Sequence, residues 1–133
     1  MTAAGDTAGR ALGRAGEEAA ACFLTARGFR VIDRNYHTPF GELDLVALAP
    51  EGALVFAEVK AGAAGDPRQR FTPKKVKRVY AAALYYLAHE REGEDLDWRF
   101  DFLAVFERGG RMEVEHFAAV PLQDYLPAGE EGL

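Results

Sequence analysis

Several features are scarce in this chain of 133 residues, and each scarcity limits what the protein can be. Its one cysteine, Cys22, excludes an internal disulfide framework and any metal site built from several cysteines. No apolar run approaches the roughly 18 residues that a membrane-spanning helix needs. The first nine residues lack a basic segment followed by an apolar stretch, so no secretory signal is predicted. We therefore expect a cytoplasmic protein without membrane association.

The overall composition is that of a folded protein. Hydrophobic residues make up 49% of the chain and charged residues 28%, a balance that argues against general disorder. A chain of this length buries one substantial core without cross-links. We therefore predict a single domain over residues 1–133, with flexible tails at 1–9 and 127–133.

Charge is distributed unevenly along the chain. The net charge is −5, yet residues 60–78 hold seven basic residues and one acidic residue. Such a polarised molecule can steer a polyanion to one face while being acidic overall. The same residues also fit an ordinary solvated helix surface. The predicted contacts to nucleic acid are Arg70, Lys74, Lys75, Lys77 and Arg78.

Hydrophobic periodicity predicts two helices and five strands. The first helix is expected over 10–27, with an apolar stripe that includes Ala15, Cys22 and Ala26. The second helix begins at Thr72-Pro73, a capping residue followed by proline at the first helical position. His37 to Gly41 predicts a turn. The predicted strands cover 29–36, 42–48, 54–60, 99–107 and 112–117, the last at a sheet edge. This order of elements predicts an α/β fold with a mixed central sheet flanked by helices.

The second and third strands form a predicted hairpin that brings charged residues together. If residues 50–52 form a three-residue loop, residues whose numbers sum to 102 face each other. Asp44 is then opposite Glu58, and Glu42 is opposite Lys60. Because side chains alternate along a strand, these four residues share one face of the hairpin.

This cluster stands at the end of an otherwise apolar hairpin, whose opposite face is predicted to hold Leu43 and Leu45 together. Taking a carboxylate out of water costs several kcal/mol unless it is paired or bound to a metal. Three carboxylates and one ammonium leave a charge of −2, which one Mg²⁺ balances. Asp44 and Glu58 are the predicted ligands, and Lys60 is expected close enough to contact a water or a scissile phosphate. The reaction class is metal-assisted phosphodiester hydrolysis.

The spacing of Asp44, thirteen residues, and Glu58-Val59-Lys60 resembles the core motif of the PD-(D/E)XK nuclease superfamily. Further segments extend the likeness over about residues 10–108, and together they resemble the YraN-type uncharacterised protein family. That family is regarded as predicted endonucleases, similar in core to archaeal Holliday-junction resolvases. The segments are Leu12–Ala20, Arg27-Gly28-Phe29, Arg34-Asn35, Gly41–Val46, Val55–Lys60 and Arg99-Phe100-Asp101.

The resemblance implies a restriction-endonuclease-like fold and a nuclease that uses Mg²⁺ or Mn²⁺ on DNA, including branched or structured DNA. It implies that Asp44 and Glu58 bind the metal and that Lys60 is catalytic. Glu17 matches an acid that helps complete related sites, with Glu18 left open as the alternative. Symmetric cleavage of two strands would call for a homodimer.

Two departures from the superfamily pattern bear on this expectation. Leu43 stands where the superfamily has proline, although this family commonly has an aliphatic residue there. Ala61-Gly62 follows Lys60, where relatives often carry a basic residue, so one expected phosphate contact is missing.

Other interpretations of the same residues stay open. Asp44, Glu58 and Lys60 also fit a structural ion pair, and Glu42 fits either a site residue or a plain partner of Lys60. Glu17 also fits a solvated carboxylate near the start of a helix. For the whole chain, the alternatives are a nucleic-acid-binding protein of nuclease fold without efficient cleavage and a protein-interaction module.

Overall fold

The computed structural model describes residues 3–62 and 71–125, with side chains of the first helix described from residue 13 onward. No helix in this part of the chain combines the length and apolar composition needed to cross a lipid bilayer. Its elements are α1 (Ala3–Ala26), β1 (Arg30–Thr38), β2 (Gly41–Leu48), β3 (Leu54–Ala61), α2 (Pro73–Glu90), β4 (Trp98–Arg108), β5 (Arg111–Phe117) and a 3-10 helix (Leu122–Tyr125).

The five strands form one mixed sheet in the order β1-β2-β3-β4-β5. β3 and β4 are parallel, and the other neighbours are antiparallel. Parallel neighbours need a crossover connection, which α2 provides. β5 lies at an edge, as predicted, and β1 forms the other edge. The α/β architecture with a flanked mixed sheet is confirmed, and it is compatible with a restriction-endonuclease-like fold.

Each face of the sheet carries its own hydrophobic core. The core beside α2 is the larger and is rich in aromatic rings, because Phe56, Tyr86 and Phe100 meet there. The predicted start of α2 is confirmed: Thr72 Oγ1 accepts a hydrogen bond from the Lys75 amide at 3.2 Å, and Pro73 is the first helical residue. The core beside α1 is lined by Ala20, Ala21, Leu24, Leu45, Ala49, Val55, Ala57, Leu103 and Val105.

α1 differs from its prediction in length and in orientation. It begins at Ala3 rather than residue 10, so the expected N-terminal tail is helical from there onward. Cys22 was expected in the core but is exposed, as are Ala15 and Ala26. The buried stripe instead runs through Gly16, Ala20, Ala21 and Leu24. The helix is turned this way because small residues let it approach the sheet closely.

The predicted hairpin register is confirmed over its inner half. Leu45 pairs with Ala57, and the ladder continues to Leu48 and Leu54. The ladder ends at Leu45, so the predicted pairing of Glu42 with Lys60 is wrong. Glu42 instead pairs with His37 in β1, which extends through part of the predicted turn.

Leu43 and Leu45 do not share a face, contrary to the prediction. Leu43 packs in the core beside α2, whereas Leu45 packs in the core beside α1. The pairing of β1 with β2 is irregular: its register shifts between Val31 and Asp33, and Asn35 adopts a left-handed backbone conformation with φ of 50°. Asparagine is among the few non-glycine residues that tolerate this conformation.

A buried carboxylate joins several elements at the opposite end of the sheet. The side chain of Asp101 is fully buried, and it accepts hydrogen bonds from His116 Nε2 at 2.8 Å and Arg99 Nε at 3.0 Å. The Ala119 amide donates a third at 2.9 Å. Arg99 also pairs with Glu51 in the β2–β3 loop. The charge of Asp101 is therefore compensated, and this end of the molecule is cross-linked.

Candidate functional site

Asp44 and Glu58 meet where the β2–β3 ladder ends. The Val59 amide donates a hydrogen bond to Asp44 Oδ2 at 2.8 Å, and the Asp44 amide donates to Glu58 Oε2 at 3.5 Å. Each carboxylate thus accepts a hydrogen bond from a backbone amide of the other strand. In a regular β-ladder, a backbone carbonyl oxygen would accept that bond. The predicted juxtaposition of Asp44 and Glu58 is confirmed, although it rests on side chain to backbone bonds instead of continued pairing.

Both carboxyl groups are held where a negative charge is unfavourable. Glu58 is 7% exposed, and burial, followed by the charge of Asp44, raises its pKa to about 8. Burial also raises the pKa of Asp44, while the hydrogen bond from Val59 acts in the opposite direction. Lys75 Nζ lies 3.8 Å from Glu58 Oε1 and offsets part of the repulsion. Two such neighbouring carboxylates form a group that an added cation would stabilise.

Asp44 and Glu58 line a cavity of about 390 Å³. Its lining combines acids from β2 and β3 with basic residues from β3 and α2. The lining residues are Gly41, Glu42, Asp44, Glu58, Val59, Lys60, Lys75 and Arg78. An anionic ligand with a bound cation would find partners for both charges in this space.

Glu17 and Glu42 are linked through Asn35 beside the Asp44–Glu58 pair. With its amide nitrogen turned toward the carboxylates, Asn35 donates to Glu17 Oε2 at 3.0 Å and to Glu42 Oε1 at 2.9 Å. This orientation is assigned because only acceptors surround that end of the amide. Burial, followed by the charge of Asp44, raises the pKa of Glu17. α1, β1 and β2 therefore each contribute one side chain next to the pair.

The choice between Glu17 and Glu18 follows from where α1 places them. Glu18 is exposed and pairs with Arg34, and the hydrogen bond from Arg34 lowers its pKa. Glu17, one residue earlier, is half-buried beside Asn35. The close contact of Gly16 with Ala61 brings α1 against the end of β3: a Cβ placed on Gly16 would lie 2.6 Å from that of Ala61. Glu17 is therefore the acid of α1 that faces the site.

The predicted basic contacts fall into three groups. Lys75 and Arg78 line the cavity together with Lys60, which is exposed at the end of β3. Lys74 and Lys77 are exposed on the first turns of α2 and do not line it. Arg70 lies outside the residues that the structure describes.

Arg78 reaches the cavity across Gly41. A Cβ on Gly41 would lie 2.8 Å from Arg78 Cδ, and the backbone there has φ of 143°. Glycine is therefore required at this position for two reasons, the backbone conformation and the space that the arginine occupies.

Asn35 and His37 both contact Glu42 in the structure, whereas the sequence predicts only a strand residue and a turn residue at these positions. His37 Nδ1 lies 3.4 Å from Glu42 Oε2, although His37 had been assigned to a turn. The one available signal was an asparagine inside a predicted strand, a residue type that tolerates positive φ. Contacts from β1 were not predictable, because they depend on the irregular pairing of β1 with β2.

The side chains of this site supply only some of the ligands that a divalent cation needs. Asp44 and Glu58 offer carboxylate oxygens, the ligand type that Mg²⁺ prefers. Among the residues described here, no three side chains of His, Cys, Asp or Glu come together as a ready set of ligands. Any further ligands would be backbone carbonyls, water or substrate oxygens, which is common for Mg²⁺.

Comparison with known proteins places these residues in a family. The model of a family described as "Uncharacterised protein family UPF0102" matches residues 16–105, which include Glu17, Asp44, Glu58 and Lys60. A UPF0102 protein of Anaeromyxobacter dehalogenans is 48% identical over 122 residues, covering 88% of this chain and 89% of the relative. One from Syntrophotalea carbinolica is 44% identical, covering 80% and 87%. One from Wolinella succinogenes is 40% identical, covering 78% and 92%. This chain belongs to the uncharacterised protein family UPF0102.

Proposed function

We propose that this protein is a divalent-metal-dependent nuclease that hydrolyses phosphodiester bonds in DNA, including branched or structured DNA. The observation that carries the proposal is the interlocked pair of Asp44 and Glu58 in a cavity that basic side chains also line. A purely structural ion pair would match charges, whereas here the buried Glu58 and the half-buried Asp44 share the charge of Lys75. The site is arranged to gain stability from a cation.

Asp44 and Glu58 are the residues that would hold Mg²⁺ or Mn²⁺. Their raised pKa values mean that removing their protons is costly in the free protein, and a bound cation would compensate for that cost. Such an ion, when bound, supplies a Lewis acid for a phosphoryl oxygen and lowers the pKa of water.

The other residues of the cavity have roles that follow from charge and position. Lys60 and Arg78 line the cavity, and in this proposal they would bind the phosphate and stabilise the negative charge that develops on it during hydrolysis. Lys75, whose Nζ lies 3.8 Å from Glu58 Oε1, would offset part of the repulsion between the two carboxylates and a substrate phosphate. Glu17 and Glu42 complete the acidic side of the site through Asn35.

DNA is the proposed substrate because the basic residues converge on the cavity although the chain is acidic overall. Lys74 and Lys77 extend the positive surface of α2 beyond the cavity. Phosphate contacts of this kind position the nucleic acid without reading its sequence. Action in the cytoplasm, and a homodimer for symmetric cuts, are part of the same proposal.

The test is cleavage of labelled duplex, forked and four-way-junction DNA with Mg²⁺ or Mn²⁺ and with EDTA. The wild-type chain is expected to cut at least one of these substrates only with the metal. Asp44→Ala and Glu58→Ala should each lower the rate by at least 100-fold, while Glu115→Ala, an exposed acid on the edge strand β5, should not. Equal activity in all of these variants would refute the site assignment.

A second candidate is nucleic-acid binding without efficient cleavage. It is favoured by the incomplete ligand set among the described residues and by Ala61-Gly62 in place of a basic residue. It predicts DNA binding that weakens with salt but no cleavage under any divalent metal. A protein-interaction module would give no DNA binding even at low salt.

A further inference from the structure

Phe40 is a large apolar side chain that the protein holds out into solvent. It is 52% exposed, at the tip of the turn between β1 and β2. Thr38 makes this turn rigid: its Oγ1 accepts hydrogen bonds from the Phe40 and Gly41 amides, each at 3.1 Å, and donates to the Gly41 carbonyl at 2.7 Å. A single exposed apolar side chain is common on protein surfaces, so the informative feature is the preorganised turn that holds Phe40 beside further aromatic rings.

Two more rings continue the surface that Phe40 begins. Phe40 meets the Tyr85 ring edge-on, with centroids 6.4 Å apart, and Tyr85 stacks on His89 at 3.8 Å. The His89 ring is anchored by its Nδ1, which lies 2.8 Å from the Tyr85 carbonyl oxygen. His89 is exposed and Tyr85 half-exposed. We call Phe40, Tyr85 and His89 the aromatic ledge.

The aromatic ledge adjoins the acidic cavity. Gly41 and Glu42, the next residues after Phe40, line that cavity. Arg78 also lines it, and it lies on the face of α2 that carries Tyr85 and His89, because residues seven and eleven positions apart are close to whole numbers of turns. A ligand that occupies the cavity can therefore extend onto the ledge without crossing another element.

We infer that the aromatic ledge binds an unpaired base of a nucleic acid whose phosphate lies in the cavity. This inference rests on the proposed function only in taking nucleic acid as the ligand. Every base has a flat face that stacks on exposed aromatic rings, while a paired base inside a duplex does not offer that face. The arrangement of basic side chains beside exposed rings is typical of sites for single strands.

The inference narrows the substrate class. A ledge that needs an unpaired base favours single strands, forks and flaps over blunt duplex DNA. Base stacking and phosphate contacts can then be measured separately, because stacking is insensitive to salt whereas phosphate contacts weaken as salt rises.

The test measures binding in EDTA, so that no cleavage interferes. The probes are a fluorescein-labelled strand of twelve thymidines, a forked duplex and a blunt duplex. Phe40→Ala should weaken binding of the single strand by roughly 5- to 100-fold, the range typical of one stacked base, and leave the blunt duplex within twofold. The slope of log Kd against log salt should not change.

Two further variants keep the result interpretable. Leu84→Ala removes a side chain that is 46% exposed elsewhere on α2, and it should change none of the three affinities. Phe40→Trp should restore single-strand binding because it restores a stacking surface. Equal weakening for single strand and duplex in Phe40→Ala, or no weakening at all, would overturn the inference. The inference would also be overturned if Phe40→Ala changed only the oligomeric state of the protein and not its binding of the single strand.

Failure of this inference can be told apart from failure of the proposed nuclease. If the protein cleaves DNA but Phe40→Ala binds single strands normally, the ledge is refuted and the nuclease stands. If single-strand binding depends on Phe40 but no metal supports cleavage, the ledge stands and the nuclease is refuted.

Discussion

The protonation of Glu58 ties the candidate site to the stability of the protein. Its pKa is raised from about 4.5 to about 8, so between these values the folded state binds a proton that the unfolded state has lost. The free energy of unfolding should therefore fall as pH rises through this window. In metal-free buffer, Glu58→Gln should reduce this fall and make the protein more stable than wild type at pH 8, by a few kcal/mol at most.

Urea denaturation in EDTA at pH 5, 6.5 and 8 measures this effect. Glu115→Gln, which removes an exposed carboxylate, provides the control and should leave the pH profile unchanged. A wild-type stability that rises steadily from pH 5 to pH 8 would contradict the assignment of a protonated Glu58.

Asp101 illustrates the opposite behaviour of a buried carboxylate. Burial alone would raise its pKa, but hydrogen bonds from His116, Arg99 and the Ala119 amide outweigh it and lower the pKa. Its stabilising contribution is therefore present above the unfolded value near 3.8 and is lost as pH falls through the lower folded value.

Replacing Asp101 should be severe because its partners would stay buried without an anion. Asp101→Asn is expected to lower the free energy of unfolding by about 3–5 kcal/mol at pH 7. Thermal or urea denaturation measures the loss, with Glu115→Gln as the exposed counterpart. A loss below about 1 kcal/mol would mean that the network contributes little to holding β4, β5 and the β2–β3 loop together.

The approach of α1 to β3 depends on Gly16. A methyl group at this position would overlap Ala61, whereas nothing lies within 4 Å of a Cβ on Gly13, three residues earlier in the same helix. Gly16→Ala should therefore destabilise the protein by about 1–2 kcal/mol, and Gly13→Ala should stabilise it by about 0.5–1 kcal/mol through helix propensity.

The pair of variants also tests the function of α1. Displacing the helix at Gly16 moves Glu17 away from Asn35, so Gly16→Ala should lower cleavage even at temperatures where it stays folded. Thermal unfolding and cleavage rates, measured on both variants, separate the two effects. Stabilisation of both variants would show that α1 can shift without cost.

Under the proposed function, the uneven distribution of charge predicts which substitutions weaken DNA binding. Lys74 is exposed on the first turn of α2, and loss of one phosphate contact should reduce the slope of log affinity against log salt by about 0.9. Lys74→Ala should show this change, measured by fluorescence anisotropy between 50 and 300 mM salt. Arg111→Ala, an equally exposed cation at the start of β5, should bind like wild type. Equal changes in both variants would mean that binding is not localised to α2.

Much of the architecture was predictable because it follows from local patterns. Alternating apolar residues located the strands, and Thr72-Pro73 located the start of α2 to the residue. A loop of defined length set the register of β2 against β3 over their inner half, and Asp44 and Glu58 meet where that ladder ends. These features depend on residues close together in the chain, so periodicity and loop chemistry were sufficient to find them.

The rotation of α1 and the outer part of the site were decided by tertiary packing. The predicted burial of Cys22 is wrong. Hydrophobic periodicity predicts that α1 is a helix, but it does not predict which side is buried, because most residues of this helix are small. Glu42 lies beside Asn35 instead of Lys60 because the end of β2 pairs with β1 and no longer with β3. The amino-acid sequence was thus enough to name the pair of acids at the centre, whose positions depend on one hairpin. Their neighbours come from α1, β1 and α2, which meet only when the chain folds, so only the three-dimensional structure identifies them.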